Sequence, residues 1–143
     1  MKFLNFSLLN EPCAIEIHAL DCIWDLHNVA GFDGFCQDVQ TNRVEMKWHI
    51  DPVNVPLKYP AHGIGILFKG VEYFEVTSRD SDMPHSEDDC LAVVSRVLAG
   101  ETFPRKPEDT EEREFHLLFE FQSGQKIRVG AEAAEFFTRP TTV

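Results

Sequence analysis

Arg43-Val44-Glu45-Met46-Lys47-Trp48-His49-Ile50 alternates polar and apolar residues four times over. Successive side chains of an extended chain point to opposite faces, so Val44, Met46, Trp48 and Ile50 share one face and leave the other to water. A helix would scatter the same four residues around its circumference. The stretch therefore predicts a strand at 44–50, half buried, and with it an antiparallel sheet.

The same period recurs on either side. Ile64 to Phe68 and Val71 to Thr77 read as two strands separated only by Lys69-Gly70, the length of a two-residue hairpin turn. Phe115, Leu117, Phe119 and Phe121 alternate with His116, Leu118 and Glu120. A Gln122-Ser123-Gly124-Gln125 turn then leads to Ile127 and Val129, which predicts a hairpin over 115–121 and 126–130. Cys13, Ile15, Ile17 and Ala19 give an early strand, and Pro52, Pro56 and Pro60 break any ladder between 51 and 62. Residues 20–42, punctuated by Gly31, Gly34 and Asn42, carry no firm signal.

One helix is expected, near 87–99. Ser86 stands as N-cap, Glu87, Asp88 and Asp89 face the positive end of the dipole, and Gly100 supplies the stop. Cys90, Leu91, Val94, Val97 and Leu98 then fall on one stripe, although three valines weaken the propensity and leave a strand over 91–97 as the minority reading. The predicted class is α+β, predominantly β: an antiparallel sheet or partly open barrel with one mid-chain helix. With 143 residues and no linker or repeat, 1–143 is expected to form a single domain. Its inward residues should be Val44, Met46, Trp48, Ile50, Leu91, Val94, Leu98, Phe115, Leu117, Phe119 and Phe121.

Composition narrows the function. Thirteen Lys and Arg against 24 Asp and Glu give a net charge of −11, which disfavours nucleic acid and anionic membrane as partners. The first ten residues lack a signal-peptide pattern, no apolar run reaches the ~18 residues of a membrane span, and the four cysteines form no CxxC pair. A cytoplasmic protein with reduced thiols is the expectation. Asn5-Phe6-Ser7 is then an unused sequon.

Chemical motifs are few. Gly63-Ile64-Gly65 lacks the third glycine of a dinucleotide loop and lies inside a strand, and Asp80-Ser81-Asp82 lacks the glycine and glutamate of a calcium loop. His18, Cys22 and His27 are close enough to suggest zinc but show no fourth ligand at a recurring spacing. Cys90 follows three carboxylates that oppose thiolate formation, and a His49–Asp51 pair is of a kind common by chance. No catalytic residue, metal or cofactor is expected.

The charge is concentrated. Residues 80–114 carry eleven acidic and four basic side chains, so most of the net charge sits in the expected helix and its flanking loops. If those loops converge, their field attracts a cationic protein. The candidate partner-binding residues are Asp80, Asp82, Glu87, Asp88, Asp89, Glu108, Asp109, Glu111 and Glu112. A solubilising face without a partner is the plainer reading.

The Leu67 to Val76 double strand and the Phe115 to Val129 hairpin resemble features of small acidic β-rich immunity proteins, which guard bacteria against their own toxins. That resemblance implies neutralisation by binding, often over a cationic nuclease cleft, and no binding residue is carried over. The functional expectation is a non-catalytic acidic module docking on a basic protein, as inhibitor or assembly subunit. The alternative is a small-ligand binder or enzyme with a pocket between sheet and helix, lined by some of the 12 Phe. Finally, Phe136 and Phe137 close behind the last hairpin must fold back or bury against a second copy, and a homodimer is the favoured outcome.

Overall fold

The computed structural model describes residues 1–54 and 59–139. Ten strands are present among them: β1 (Lys2–Leu4), β2 (Ser7–Leu9), β3 (Glu16–Ala19), β4 (Cys22–Asp25), β5 (Ala30–Asp38), β6 (Arg43–Ile50), β7 (Gly63–Val76), β8 (Leu91–Leu98), β9 (Phe115–Phe121) and β10 (Lys126–Arg139). The main sheet runs β5-β6-β7-β10-β9-β8, antiparallel throughout, and β1 adds to β10 in parallel. It curls into a half-barrel. Strands β2, β3 and β4 form a second, small antiparallel sheet.

The curl brings the two outer strands towards each other. Phe32 N–H donates to Asp89 O at 2.8 Å, and the Phe32 and Phe121 rings lie 4.7 Å apart. The small sheet is tied to β8 through the paired bonds of Ala14 and Val94. Its Leu8, Ile17 and Trp24 join the same core as Trp48, Phe68, Phe119 and Phe136. All eleven residues expected to point inward are buried.

The mid-chain helix is not formed. Only a 3₁₀ turn, His85–Glu87, precedes β8, and Ser86 caps nothing. Leu91 pairs with Phe121 and Val93 with Glu120, so Ala92 is left without a partner in a β-bulge. The bulge resets the alternation and puts Leu91, Val94 and Leu98 on one face at spacings of three and four. Those are the spacings of a helical stripe. The valines and the pairing with β9 decide for the strand.

Two further expectations are corrected. Lys69-Gly70 is no hairpin turn, because β7 runs through it without reversing. Gly70 sits at φ +63° beside a bulge that leaves Glu72 unmatched opposite Gly130 and Ala131. The early alternation also fails at its start: Cys13 is exposed while Ala14 is buried against Val94. The Gln122–Gln125 turn stands as expected, with Gly124 at φ +86° and Phe121 N–H bonded to Gln125 O. Beyond it β10 continues to Arg139, so Phe136 is buried within its own chain and the Phe137 ring covers Gly65. Pro56 lies outside the described residues.

Candidate functional site

The bulge in β5 builds one side of a cleft. Phe32 pairs with Trp48 and Gly34 with Lys47, which leaves Asp33 out of register. Bulges re-aim side chains, and here Asp33 reaches the polar face of β6. His49 Nδ1–H donates to Asp33 Oδ1 at 2.6 Å, and Arg139 Nη1–H donates to Asp33 Oδ2 at 2.8 Å. With its Nδ1 proton held by a carboxylate, a neutral His49 keeps Nε2 as an acceptor.

The edge of the His49 ring that carries Cε1 and Nε2 lies over Gly31. A Cβ at Gly31 would stand 2.7 Å from His49 Nε2 and 3.1 Å from Asp89 Oδ2, so only glycine lets the two groups face each other. They line a cleft of about 350 Å³ with Asp51, His27 and Cys90. Asp51 enters at the end of β6, fixed by Val53 N–H on its Oδ1 and by its own N–H on Val29 O. Asp89 enters from the turn before β8, held by the Phe32–Asp89 backbone bond.

Cys90 is close to His27 but is not activated by it. The His27 Nδ1–H donates to Leu91 O at 2.6 Å, and that same nitrogen is the one 3.6 Å from Cys90 Sγ. A nitrogen already carrying a proton takes none from the thiol. Burial pushes the Cys90 thiol up, and the Glu87 and Asp89 carboxylates push it further.

The sequence candidates are regrouped. His49 pairs with Asp33, not with Asp51, although Asp51 does line the cleft. His18 pairs across the small hairpin with Ile23 and points to solvent, while His27 turns to β8. His18, Cys22 and His27 are therefore not brought together, and no metal-holding group of three forms among the described residues.

The acidic loops do not converge. Asp80 and Asp82 sit by the β9–β10 turn, where Asp80 N–H bonds Ser123 O and Asp82 N–H bonds Asp80 Oδ1. Asp88 is held by Arg79 at 2.7 Å and His85 at 3.2 Å, and the Arg79 bond lowers its carboxyl below the usual range. Glu87 and Asp89 belong to this same end of β8. Glu108, Asp109, Glu111 and Glu112 lie at the other end, exposed around the short 3₁₀ turn Pro107–Thr110. Eight residues at ~3.3 Å each put roughly 25 Å of strand between the groups. The negative charge is thus divided between the two ends of β8, and Asp51 adds to the first, whereas Asp33 is paired with Arg139.

No family model, no curated protein and no solved structure matches the chain. No helix among the described residues is long and apolar enough to cross a membrane. The place of Asp33 depends on the bulge, for which the sequence offers only the glycine that follows it. Gly34, at φ +115°, was the available signal.

Proposed function

We propose that this protein is a non-catalytic binding module that docks on a basic protein through the acidic end of its half-barrel, as an inhibitor or an assembly subunit. One observation carries the reading: the cleft between β5, β6 and Asp89 is lined by two carboxylates and two imidazoles and by no Lys or Arg among the described residues. Such a wall presents acceptors and favours a cationic side chain. Asp80, Asp82 and Glu87 extend the same sign of charge around it, which raises association rates at low salt.

The test compares the two acidic ends. The protein is used to capture partners from a lysate at low and moderate salt. An Asp51→Asn/Asp89→Asn variant and a Glu108→Gln/Asp109→Gln/Glu111→Gln/Glu112→Gln variant are run beside it. The expected result is a basic protein retained at low salt, lost with the first variant and kept with the second. Retention by both variants, or no salt-sensitive partner at all, overturns the reading.

A further inference from the structure

The outer face of the sheet carries a second hollow, distinct from the acidic cleft. It measures about 510 Å³ and lies where β7, β9 and β10 meet the Ala99–Thr102 turn. Cross-strand register sets Arg128 opposite Glu75 and Gly130 opposite Tyr73. His116 lies over Gly130, where a Cβ would come within 2.5 Å of His116 Nε2. The Tyr73 and His116 rings stack at 4.9 Å.

We propose that this hollow binds a small carboxylate, gripped by Arg128 and by the Nε2–H of His116. Five arginines of the chain are partly buried, and four of them hold a carboxylate: Arg79, Arg96, Arg105 and Arg139. Arg128 holds none among the described residues. It donates instead to His116 Nδ1 at 2.9 Å, to Glu101 O at 2.6 Å and to Leu98 O at 3.1 Å. A guanidinium has five N–H groups, so two remain, on a fork already fixed in place. In a chain of net charge −11 a fixed, unpaired arginine is the group that calls for an anion.

His116 supplies the second donor. Arginine only donates, so His116 Nδ1 must accept and the imidazole proton must sit on Nε2. Nε2 makes no hydrogen bond among the described residues, although His116 as a residue is only 6% exposed and lines the hollow. Burial and the Arg128 charge hold His116 below its ordinary pKa, which keeps that neutral tautomer at neutral pH.

The two carboxylates that also line the hollow, Glu75 and Glu101, are already engaged. Glu101 takes both its bonds from Arg105 at 2.9 Å each, and Glu75 accepts the Tyr73 hydroxyl at 3.0 Å. Glu75 still leaves one oxygen for a donor on the ligand, so a plain carboxylate and an amino acid share the chemistry. The hollow shares no lining residue with the acidic cleft, so its ligand is independent of docking on a basic protein.

The test is an NMR titration that follows His116 Nε2 and Arg128 Nε with propionate and with alanine as probes, against sodium chloride at equal ionic strength. Saturable shifts at both nitrogens are expected with propionate. Tighter binding of alanine would assign its ammonium to Glu75. Arg128→Lys keeps the charge and loses the fork, and it should weaken the response at least tenfold while the amide spectrum of the core is unchanged. Should Arg128→Lys disturb that spectrum, the saturation of the wild-type His116 Nε2 and Arg128 Nε shifts is itself the readout. Equal shifts with chloride, no saturation with either probe, or wild-type binding by a folded Arg128→Lys variant would overturn the proposal.

Discussion

Strands β6 and β8 are both eight residues long, yet one is plain in the sequence and the other looks helical. β6 lies between two neighbours with one wet face, so burial alternates without a fault from Val44 to Ile50. β8 ends the sheet order, carries a bulge at Ala92, and is buried on both faces, with Val94 and Leu98 in the core and Ser95 and Val97 behind. A strand shows its period only where one face meets water and the register is unbroken. β8 meets neither condition.

The largest effect that tests this difference is expected in β6. Trp48 is fully buried between Phe32 and Phe119, and Trp48→Ala should cost about 4 kcal/mol in chemical denaturation. Leu91→Ala, next to the bulge, should cost about 3 kcal/mol. A near-neutral Leu91→Ala would mean that β8 is not held in the register described. Trp48→Phe offers a finer check. The Trp48 indole N–H has no partner among the described residues, so Phe removes an unsatisfied donor along with some volume and should cost well under half as much as Ala.

Next comes the one charged side chain that β8 sends to its core side. Arg96 follows Val94 by two and precedes Leu98 by two, so it shares their face. Its guanidinium lies 4.8 Å from the Phe3 ring and 4.7 Å from Phe115, and it donates to both oxygens of Glu11 at 2.6 and 3.1 Å. Removing Glu11 leaves a largely buried cation without its counter-charge. Glu11→Ala should therefore cost about 3 kcal/mol, and Glu11→Ala/Arg96→Met should recover part of it. An additive double mutant would show that the pair does not couple.

Such pairings mark the limit of what the sequence discloses. Val44 to Ile50 and Phe115 to Phe121 announce themselves through local period alone, and the Gln122–Gln125 turn fixes the hairpin that follows. The register, in which Val129 faces Leu117 and His116 comes near Arg128, is not given by that turn alone. What stays hidden depends on register shifts: Asp33 on His49, the three-and-four spacing of β8, and the continuity of β7 through Gly70. Each bulge is one unmatched residue, and no local pattern distinguishes it from a turn or a helix. The location of the negative charge was legible, but its division between two ends of β8 was not, because that follows from β8 being extended.

A smaller effect separates the two faces of β8 by pH. His116, opposite Val97 on the outer face, is held below its ordinary pKa by burial and by Arg128. Arg128 meets it on one edge, Tyr73 on its flat side, and Glu114 and the N-terminal amine are the other charges acting on it. A group with a depressed pKa binds protons less in the folded state than in the unfolded chain. Its contribution is therefore complete above pH 6.5, the ordinary histidine value, and is lost as pH falls from there towards the lowered folded pKa. Denaturation midpoints taken between pH 7.5 and 5.5 should fall more in wild type than in His116→Gln. Identical slopes would show that His116 titrates as a free histidine.

The smallest effect has the opposite sign. Ser95 faces Leu118 across the ladder, is fully buried, and its hydroxyl has no partner among the described residues. Burying a hydroxyl without a bond costs free energy that the unfolded chain, bonded to water, does not bear. Alanine removes that hydroxyl while leaving the backbone pairing and the Cβ in place, and the space it vacates is smaller than a methyl group would leave. Ser95→Ala should raise stability by about 0.5–1 kcal/mol. The matching change in β6, Lys47→Ala on its wet face, should stay within ~0.5 kcal/mol of zero, because Lys47 is solvated and its contact with Glu45 at 3.4 Å is exposed. If Ser95→Ala is destabilising instead, the hydroxyl is bonded in solution, and the outer face of β8 admits water in the way the outer face of β6 does.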